Sequence, residues 1–278
     1  MSEPERSEPE LPGWLRPLVT AVARSRAGDY LRRAPRPPVA GGGRRSAVLI
    51  LFGEGPAGPD VLLIQRAEQL RQHAGQPAFP GGAVDPGDDG PVGTALRESA
   101  EEVGLDAAGV RVVALLPELF LPPTGFLVTP VLGWWHTPAP VGVVDPGEVA
   151  RVERVPVDEL VDPANRCLVR GPSGYAGPAF AVRGMVVWGF TAAVLDRVLE
   201  MAGWAVPWDE TDVRELPRRA ADLAVRGAPV GPGGPPDGDL AGAADGADDG
   251  PAAEDVLPAD HRVPGPGGPT AAPGTVGP

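Results

Sequence analysis

The chain has 278 residues, a net charge of −13 and a single cysteine, Cys167. All 24 basic residues are arginine, and against 37 acidic residues they leave no surplus for general nucleic-acid or anionic-membrane binding. One cysteine excludes a disulfide within the chain, and the acidic first ten residues are unlike a secretory signal. The longest uncharged apolar run, Gly184–Leu195, is too short to span a bilayer, so we expect a cytoplasmic protein that binds neither membranes nor nucleic acid.

The composition divides the chain into a folded centre and two flexible ends. Apolar residues at helical spacing predict an amphipathic helix at Leu11–Arg33. The Gly/Pro/Asp-rich C-terminal sequence cannot bury enough apolar surface to offset the lost chain entropy. The predicted segments are a disordered N-terminus (1–10), an N-terminal helix (11–34), a linker (35–45), one domain (46–225) and a disordered tail (226–278).

Within the domain, apolar runs bounded by glycine, proline and aspartate predict strands, and apolar residues spaced three and four apart predict helices. The predicted strands are Ser46–Phe52, Val61–Gln65, Val110–Leu116, Phe126–Trp135 and Glu148–Pro156. The predicted helices are Val92–Val103, Val157–Leu160 and Met185–Ala202, with a loop at Pro80–Pro91. This order favours an α+β fold, an α/β/α sandwich in which one mixed sheet lies between helices.

The helix at Val92–Val103 carries the most informative residues. Glu98, Glu101 and Glu102 stand at positions i, i+3 and i+4, so their side chains project from one helical face. Carboxylate oxygens are the ligands that Mg²⁺ and Mn²⁺ prefer. A solvated acidic face would give the same pattern, but the FPGG turn at Phe79–Gly82 brings side-chain-free backbone close to it, as a metal or phosphate site requires.

The stretch from Gly82 to Leu105 resembles the Nudix box, G-x5-E-x7-R-E-U-x-E-E-x-G-U. The second half matches at Arg97, Glu98, Glu101, Glu102, Gly104 and Leu105. In the first half, strict spacing puts Ala83 and Asp89 at the glycine and glutamate positions, whereas one extra residue puts Gly82 and Asp88 there. We prefer the second alignment, because FPGG then coincides with the family's glycine turn.

The longer box and the segment before it resemble the CoA-pyrophosphatase branch of that superfamily. The branch motif LL-T-x-R-[SA]-x3-R-x3-G-x3-FPGG is matched by Leu62–Gly82, with Gln65 in place of the usual threonine. Further similarity lies in Glu148–Leu160 and Val186–Leu195. The resemblance implies a Nudix fold and hydrolysis of CoA or an acyl-CoA to 3′,5′-ADP and (acyl-)4′-phosphopantetheine.

The resemblance also implies roles for individual residues. Metal binding falls to Glu98, Glu101, Glu102 and the Gly82 carbonyl, with Mg²⁺ or Mn²⁺ as cofactor. Catalytic roles fall to Glu98, Glu102, Arg97 and Glu148: Arg97 orients a neighbouring carboxylate, and one of the three glutamates acts as general base. Substrate binding falls to Arg66, Arg71, Gly81 and Gly82, because arginine forks match phosphate geometry.

Three alternatives to CoA hydrolysis stay open at this stage. The substrate could be another nucleoside diphosphate derivative, such as ADP-ribose, a dinucleotide or a damaged nucleotide. A binding module without turnover is disfavoured by the intact set of three glutamates. An interaction protein that works through its acidic tail is the third alternative. The expected partner is a small nucleotide substrate, and the sequence leaves the oligomeric state, monomer or homodimer, open.

Overall fold

The computed structural model of the protein describes residues 9–25, 43–70, 73–121, 125–170 and 176–216. Its helices are α1 (Arg16–Arg24), α2 (Gly90–Val103), α3 (Val157–Val161) and α4 (Gly189–Ala202). Its strands are β1 (Arg44–Gly55), β2 (Gly58–Arg66), β3 (Pro77–Ala78), β4 (Gly81–Ala83), β5 (Val110–Leu115), β6 (Leu119–Leu121), β7 (Phe126–Trp135), β8 (Val149–Pro156), β9 (Arg166–Arg170), β10 (Ala176–Val182), β11 (Met185–Val187) and β12 (Val213–Glu215).

The main sheet is mixed and has eight strands, in the order β3-β2-β1-β7-β5 with β4, β6 and β8 attached to β1, β7 and β2. Strands β1 and β7 run parallel, and the other pairs in this sheet are antiparallel. Two of the predicted strands form a hairpin: β1 and β2 pair from Phe52 opposite Val61 to Gly55 opposite Gly58. The predicted α+β class with a mixed sheet is therefore confirmed.

The two faces of this sheet are covered by different helices, because successive side chains of a strand point to opposite faces. On one face, Ile50 and Phe52 of β1 belong to the core that includes residues of α1, α3 and α4. On the other face, Leu49 and Leu51 pack in the core that includes Ala95 and Val103 of α2. Helix α2 carries Glu98, Glu101 and Glu102. Its apolar side packs on the sheet, so its acidic side is available to bind a ligand.

A second, four-stranded sheet was not predicted from the sequence. Its order is β11-β10-β9-β12, with β12 parallel to β9 and the other pairs antiparallel. The predicted helix at Met185–Ala202 is wrong over its first three residues, which form β11. The chain reverses at Arg183 and Gly184, both with positive φ (52° and 70°), and this tight turn pairs β11 with β10. Helix α4 begins only at Gly189.

Other boundaries differ by a few residues from the predicted ones. Strand β1 begins at Arg44, inside the predicted linker, and the predicted loop Pro80–Pro91 contains β4 and the start of α2. Helix α1 is shorter than the predicted segment, because residues 13–15 form a turn before it and the helix ends before Ser25. The rest of the predicted N-terminal helix and the acidic tail at 226–278 lie outside the described residues. None of the described helices is long and apolar enough to cross a membrane.

Candidate active site

Helix α2 places the acidic residues by burying its opposite side. Thr94, Ala95, Ser99 and Val103 are buried, whereas Gly104 ends the helix in the left-handed conformation (φ 70°). The Gly104 amide donates to the Ala100 carbonyl, so the helix stops directly after its acidic turn. Gly104 thus has the left-handed conformation that is typical of a glycine at the end of a helix.

The two glycines of the FPGG turn bring backbone against the carboxylates of α2. Strand β4 pairs with β1, and the Gly81 amide donates to the Glu102 carboxylate over 2.9 Å. A Cβ on Gly81 would lie 2.3 Å from the Ala47 carbonyl oxygen, and a Cβ on Gly82 would lie 2.4 Å from the Glu98 carboxyl carbon. The backbone therefore requires glycine at position 81, whereas a side chain at position 82 would push the Glu98 carboxylate away.

Glu102 is the most deeply buried acid of the site, with 3% of its surface exposed. Burial raises the pKa of the Glu102 carboxyl to about 7, partly opposed by the Gly81 amide and by Arg66, whose Nη1 lies 3.9 Å from a carboxylate oxygen. Repulsion from Glu98 and Glu148 raises the same pKa further. A carboxylate so placed is stabilised by any cation that reaches it.

Glu98 lies beside Glu102 and is partly buried. Burial raises the pKa of the Glu98 carboxyl, the Arg97 guanidinium lowers it, and the Glu101 and Glu148 carboxylates raise it. Glu148 is exposed at the end of the loop before β8, and its charge acts on both Glu98 and Glu102. The structure thus brings together three of the predicted acids, one of them from outside the helix.

Glu101 is directed differently from the other two acids of the helix. Its carboxylate accepts a hydrogen bond from Arg97 over 3.0 Å, and 61% of its side chain is exposed. Among the described residues, no group of three or more acidic, histidine or cysteine side chains is arranged as a preformed metal site. The donor chemistry still fits a divalent cation, because Glu98 and Glu102 are desolvated oxygen donors that repel each other and Glu148.

Arg97 donates several of the hydrogen bonds that stabilise the turn between β4 and α2. Its guanidinium makes two bonds to Asp88, from Nε over 2.8 Å and from Nη2 over 3.0 Å, and Nη2 also reaches the Ala83 carbonyl over 3.1 Å. The same Nη2 lies 3.1 Å from a Glu98 oxygen. The hydrogen bonds from Arg97 are the main cause that lowers the pKa of the Asp88 carboxyl well below its usual range.

These contacts give Asp88 a role that the sequence left unassigned. Its carboxylate also accepts bonds from the Thr94 hydroxyl and the Asp85 amide, each over 2.8 Å. Asp88 therefore closes the turn between β4 and α2 by pairing with Arg97. The sequence signal for this was the alignment with one extra residue, which sets an acid at position 88 nine residues before the arginine.

Of the two arginines predicted to bind phosphate, Arg66 and Arg71, the structure describes only Arg66. Arg66 ends β2 next to Glu102, and its buried Nε has no hydrogen-bond partner among the described residues. Arg71 lies outside the described residues. Gln65, which replaces the threonine of the CoA-branch motif, donates from its side chain to the Gly75 carbonyl over 3.1 Å. This bond closes the segment between Arg66 and FPGG, a contact that no local sequence pattern indicates.

Comparison with known proteins identifies the same region of the chain. A family model described as NUDIX domain matches residues 43–170. A protein of Citrobacter koseri called "Uncharacterized Nudix hydrolase NudL" is 41% identical over 145 residues, which cover 48% of this chain and 70% of that protein. A Salmonella paratyphi B protein of the same name is 51% identical over 90 residues, so the match spans 32% of this chain and 46% of that relative.

The solved structures that match this chain are more distant in sequence. A Nudix hydrolase from M. smegmatis, RenU, is 23% identical, with 60% of this chain and 90% of that chain covered at a TM-score of 0.42. A C. elegans Ap4A hydrolase binary complex is 19% identical, with 42% and 83% covered at a TM-score of 0.35. Family membership is therefore carried by the family model and the 41% identical relative.

Proposed function

The chain belongs to the Nudix hydrolases, and we propose on that premise that it cleaves the diphosphate of CoA or an acyl-CoA with a divalent metal. The products would be 3′,5′-ADP and (acyl-)4′-phosphopantetheine. The observation that carries the proposal is the position of Arg66. Arg66 belongs to the CoA-branch motif, and its Nη1 lies 3.9 Å from a carboxylate oxygen of Glu102. A guanidinium that can bind phosphate therefore lies in the same site as the acidic residues.

The cation, Mg²⁺ or Mn²⁺, would be held by Glu98 and Glu102, with the Gly82 carbonyl and Glu101 as further predicted ligands. When bound, it supplies charge neutralisation on the diphosphate and makes the attacking water more acidic. Glu101 would have to leave its bond with Arg97 to join, so we expect it to contribute less than the two buried glutamates. The three glutamates are thus expected to differ in how much they contribute to metal binding, and mutation can test this order.

The side chains of the protein perform the remaining steps. One carboxylate among Glu98, Glu102 and Glu148 removes a proton from the attacking water. At the same time the oxygen of this water attacks one phosphorus atom, and the bond from that phosphorus to the bridging oxygen breaks. Arg97 orients Glu98, since its guanidinium is itself fixed by Asp88. The second phosphate leaves carrying the bridging oxygen, so each product ends in a phosphate monoester.

The order of effects among the glutamates tests the metal site. Glu98→Gln and Glu102→Gln should each lower kcat by a factor of about 10² to 10⁴, the scale for loss of a metal ligand or acid–base group. Glu101→Gln should have a smaller effect because its side chain is largely exposed. The measurement is kcat over a Mg²⁺ and Mn²⁺ series with CoA. Full activity in EDTA, or in the double variant of Glu98 and Glu102, would refute the metal mechanism.

The choice of substrate is tested with Arg66. If Arg66 binds the 3′-phosphate of CoA, Arg66→Ala should weaken kcat/KM for CoA about 10- to 150-fold more than for dephospho-CoA, the value of one charge-assisted bond. The matched control is Arg197→Ala, which removes a partly buried arginine on α4 that pairs with Glu200, and it should leave the ratio unchanged. Equal losses on both substrates would assign Arg66 to the diphosphate itself. Faster turnover of ADP-ribose or a dinucleotide than of any CoA species would move the protein to another Nudix branch.

A further inference from the structure

The loop that carries Glu148 is attached to the C-terminal end of α2. The Gly142 amide donates to the Val103 carbonyl over 3.1 Å, and the Val144 amide donates to the Glu102 carbonyl over 3.2 Å. These bonds satisfy two carbonyls that the last turn of a helix otherwise leaves without partners. The loop therefore starts from a fixed point next to Glu102.

Within the loop, Asp145 forms the turn that precedes Glu148. Its side chain accepts the Gly147 amide over 2.7 Å, and its carbonyl accepts the Glu148 amide over 3.1 Å. Such a turn sets the backbone direction of Glu148 within the loop, but its bonds lie inside the loop and so do not set the position of the loop relative to the Arg66 segment.

A second attachment comes from the segment directly after Arg66. The Ala67 amide donates to the Glu148 carbonyl over 2.8 Å. Two residues further on, the Gln69 side-chain amide donates to the Pro146 carbonyl over 3.0 Å. Gln69 and Pro146 lie far apart in sequence, so this side chain joins the arginine-bearing segment to the tip of the acidic loop.

We propose that Gln69 is a positioning residue, which holds the loop of Glu148 against the Arg66 segment so that Glu148 faces Glu98 and Glu102. This inference rests on the proposed function in one respect, that Glu148 takes part in diphosphate hydrolysis. Glu148 itself is exposed and bonded only through its backbone in the contacts above. Its side chain can act at a defined place only if the loop is held from both sides.

Loss of the Gln69 bond should lower kcat and leave KM nearly unchanged. Gln69→Met keeps the length of the side chain but removes the donor. One neutral hydrogen bond corresponds to a change of about 3- to 10-fold. Because Arg66 and its backbone bond to Gln76 are untouched, substrate binding should remain. The loss is therefore expected in kcat, which separates a positioning role from a binding role.

A double-mutant cycle tests whether Gln69 acts through Glu148. The variants are Gln69→Met, Glu148→Gln and the two combined, in the full chain, with Glu68→Gln as an exposed neighbouring control. We would measure kcat, KM and Tm with CoA, and with ADP-ribose in parallel, so that a different preferred substrate leaves the cycle intact. The expected result is a 3- to 10-fold loss of kcat in Gln69→Met that disappears in the Glu148→Gln background.

The other outcomes overturn the inference in distinguishable ways. A loss from Gln69→Met that persists in full in the Glu148→Gln background would mean that Gln69 acts elsewhere. An unchanged kcat in Gln69→Met, with Glu148→Gln inactive, would show that the loop is held without Gln69. Near-normal activity of Glu148→Gln would remove Glu148 from the reaction and the inference with it, while hydrolysis of CoA by the unaltered chain would still support the proposed function.

Discussion

Replacing Arg97 should damage both stability and catalysis, because one guanidinium holds the turn before α2 and orients Glu98. Two of its nitrogens bond Asp88 and one reaches the Ala83 carbonyl. A hydrogen bond to a charged group contributes about 1.5–3 kcal/mol. Since 26% of the Arg97 side chain is exposed and solvent screens the pair, we take a value in the lower half of this range, a loss of about 2 kcal/mol for Arg97→Met.

A loss of this size corresponds to a fall in Tm of about 4–8 °C for a domain of this length. Catalysis should fall by up to about 10²-fold in kcat, the cost of misplacing a catalytic group by about an ångström. Arg97→Lys keeps the charge but lacks the planar fork, so it should recover less than half of either quantity. The assays are thermal unfolding and steady-state kinetics with CoA.

The matched control is Arg197→Met on α4, where an exposed pair with Glu200 should contribute less than about 0.5 kcal/mol. If Arg97→Lys kept the unaltered Tm and kcat, the charge of Arg97 would suffice and the argument from its fork geometry would be refuted. If Arg197→Met were as damaging as Arg97→Met, the loss would reflect arginine removal in general.

Three further results are expected. Gly82→Ala should lower kcat by about 10²-fold with little change in Tm, because the new Cβ displaces the side chain of Glu98; unchanged kinetics would show that Glu98 can move without cost. Gly81→Ala should instead lower Tm, since its Cβ would meet the Ala47 carbonyl and its φ is 151°; a stable, folded variant would contradict this. Burial raises the pKa of the Asp60 carboxyl above 3.8, so its stability contribution is present below pH 3.8 and is lost as pH rises through the folded pKa. The excess stability of the unaltered protein over Asp60→Asn in urea titrations should therefore fall from acid to neutral pH, and a pH-independent difference would rule this out.

The sequence predicts those parts of the fold whose signals are local. Helix α2 and the β1–β2 hairpin follow from periodicity and turn residues, which act within a few positions of the chain. Strand β11 is predicted as helix because its apolar residues continue into α4, and only Gly189, with a φ of 64°, stands where the strand gives way to the helix. The second sheet is not predicted because its strands are short, and because β12 pairs with β9, a partner that is distant in sequence.

The same distinction holds within the site. Helical spacing places Glu98, Glu101 and Glu102 on one face, but the structure shows that Glu101 pairs with Arg97, four residues earlier in the helix, and keeps 61% of its side chain exposed. The proximity of Glu148 to the buried acids depends on loop contacts that helical spacing does not specify. Spacing predicts which residues share a face, and packing decides which of them face one another.

The pairing of β4 with β1 explains why the site tolerates a box that is one residue longer. Gly82 lies opposite Ala47 in this register, and a slip by one residue would turn every β4 position to the other face. The extra residue falls between β4 and α2, where the turn is closed by the side-chain bonds that Asp88 accepts from Arg97 and Thr94. An insertion there changes the path of the turn but neither the strand register nor the helix, so the glycines still face the carboxylates.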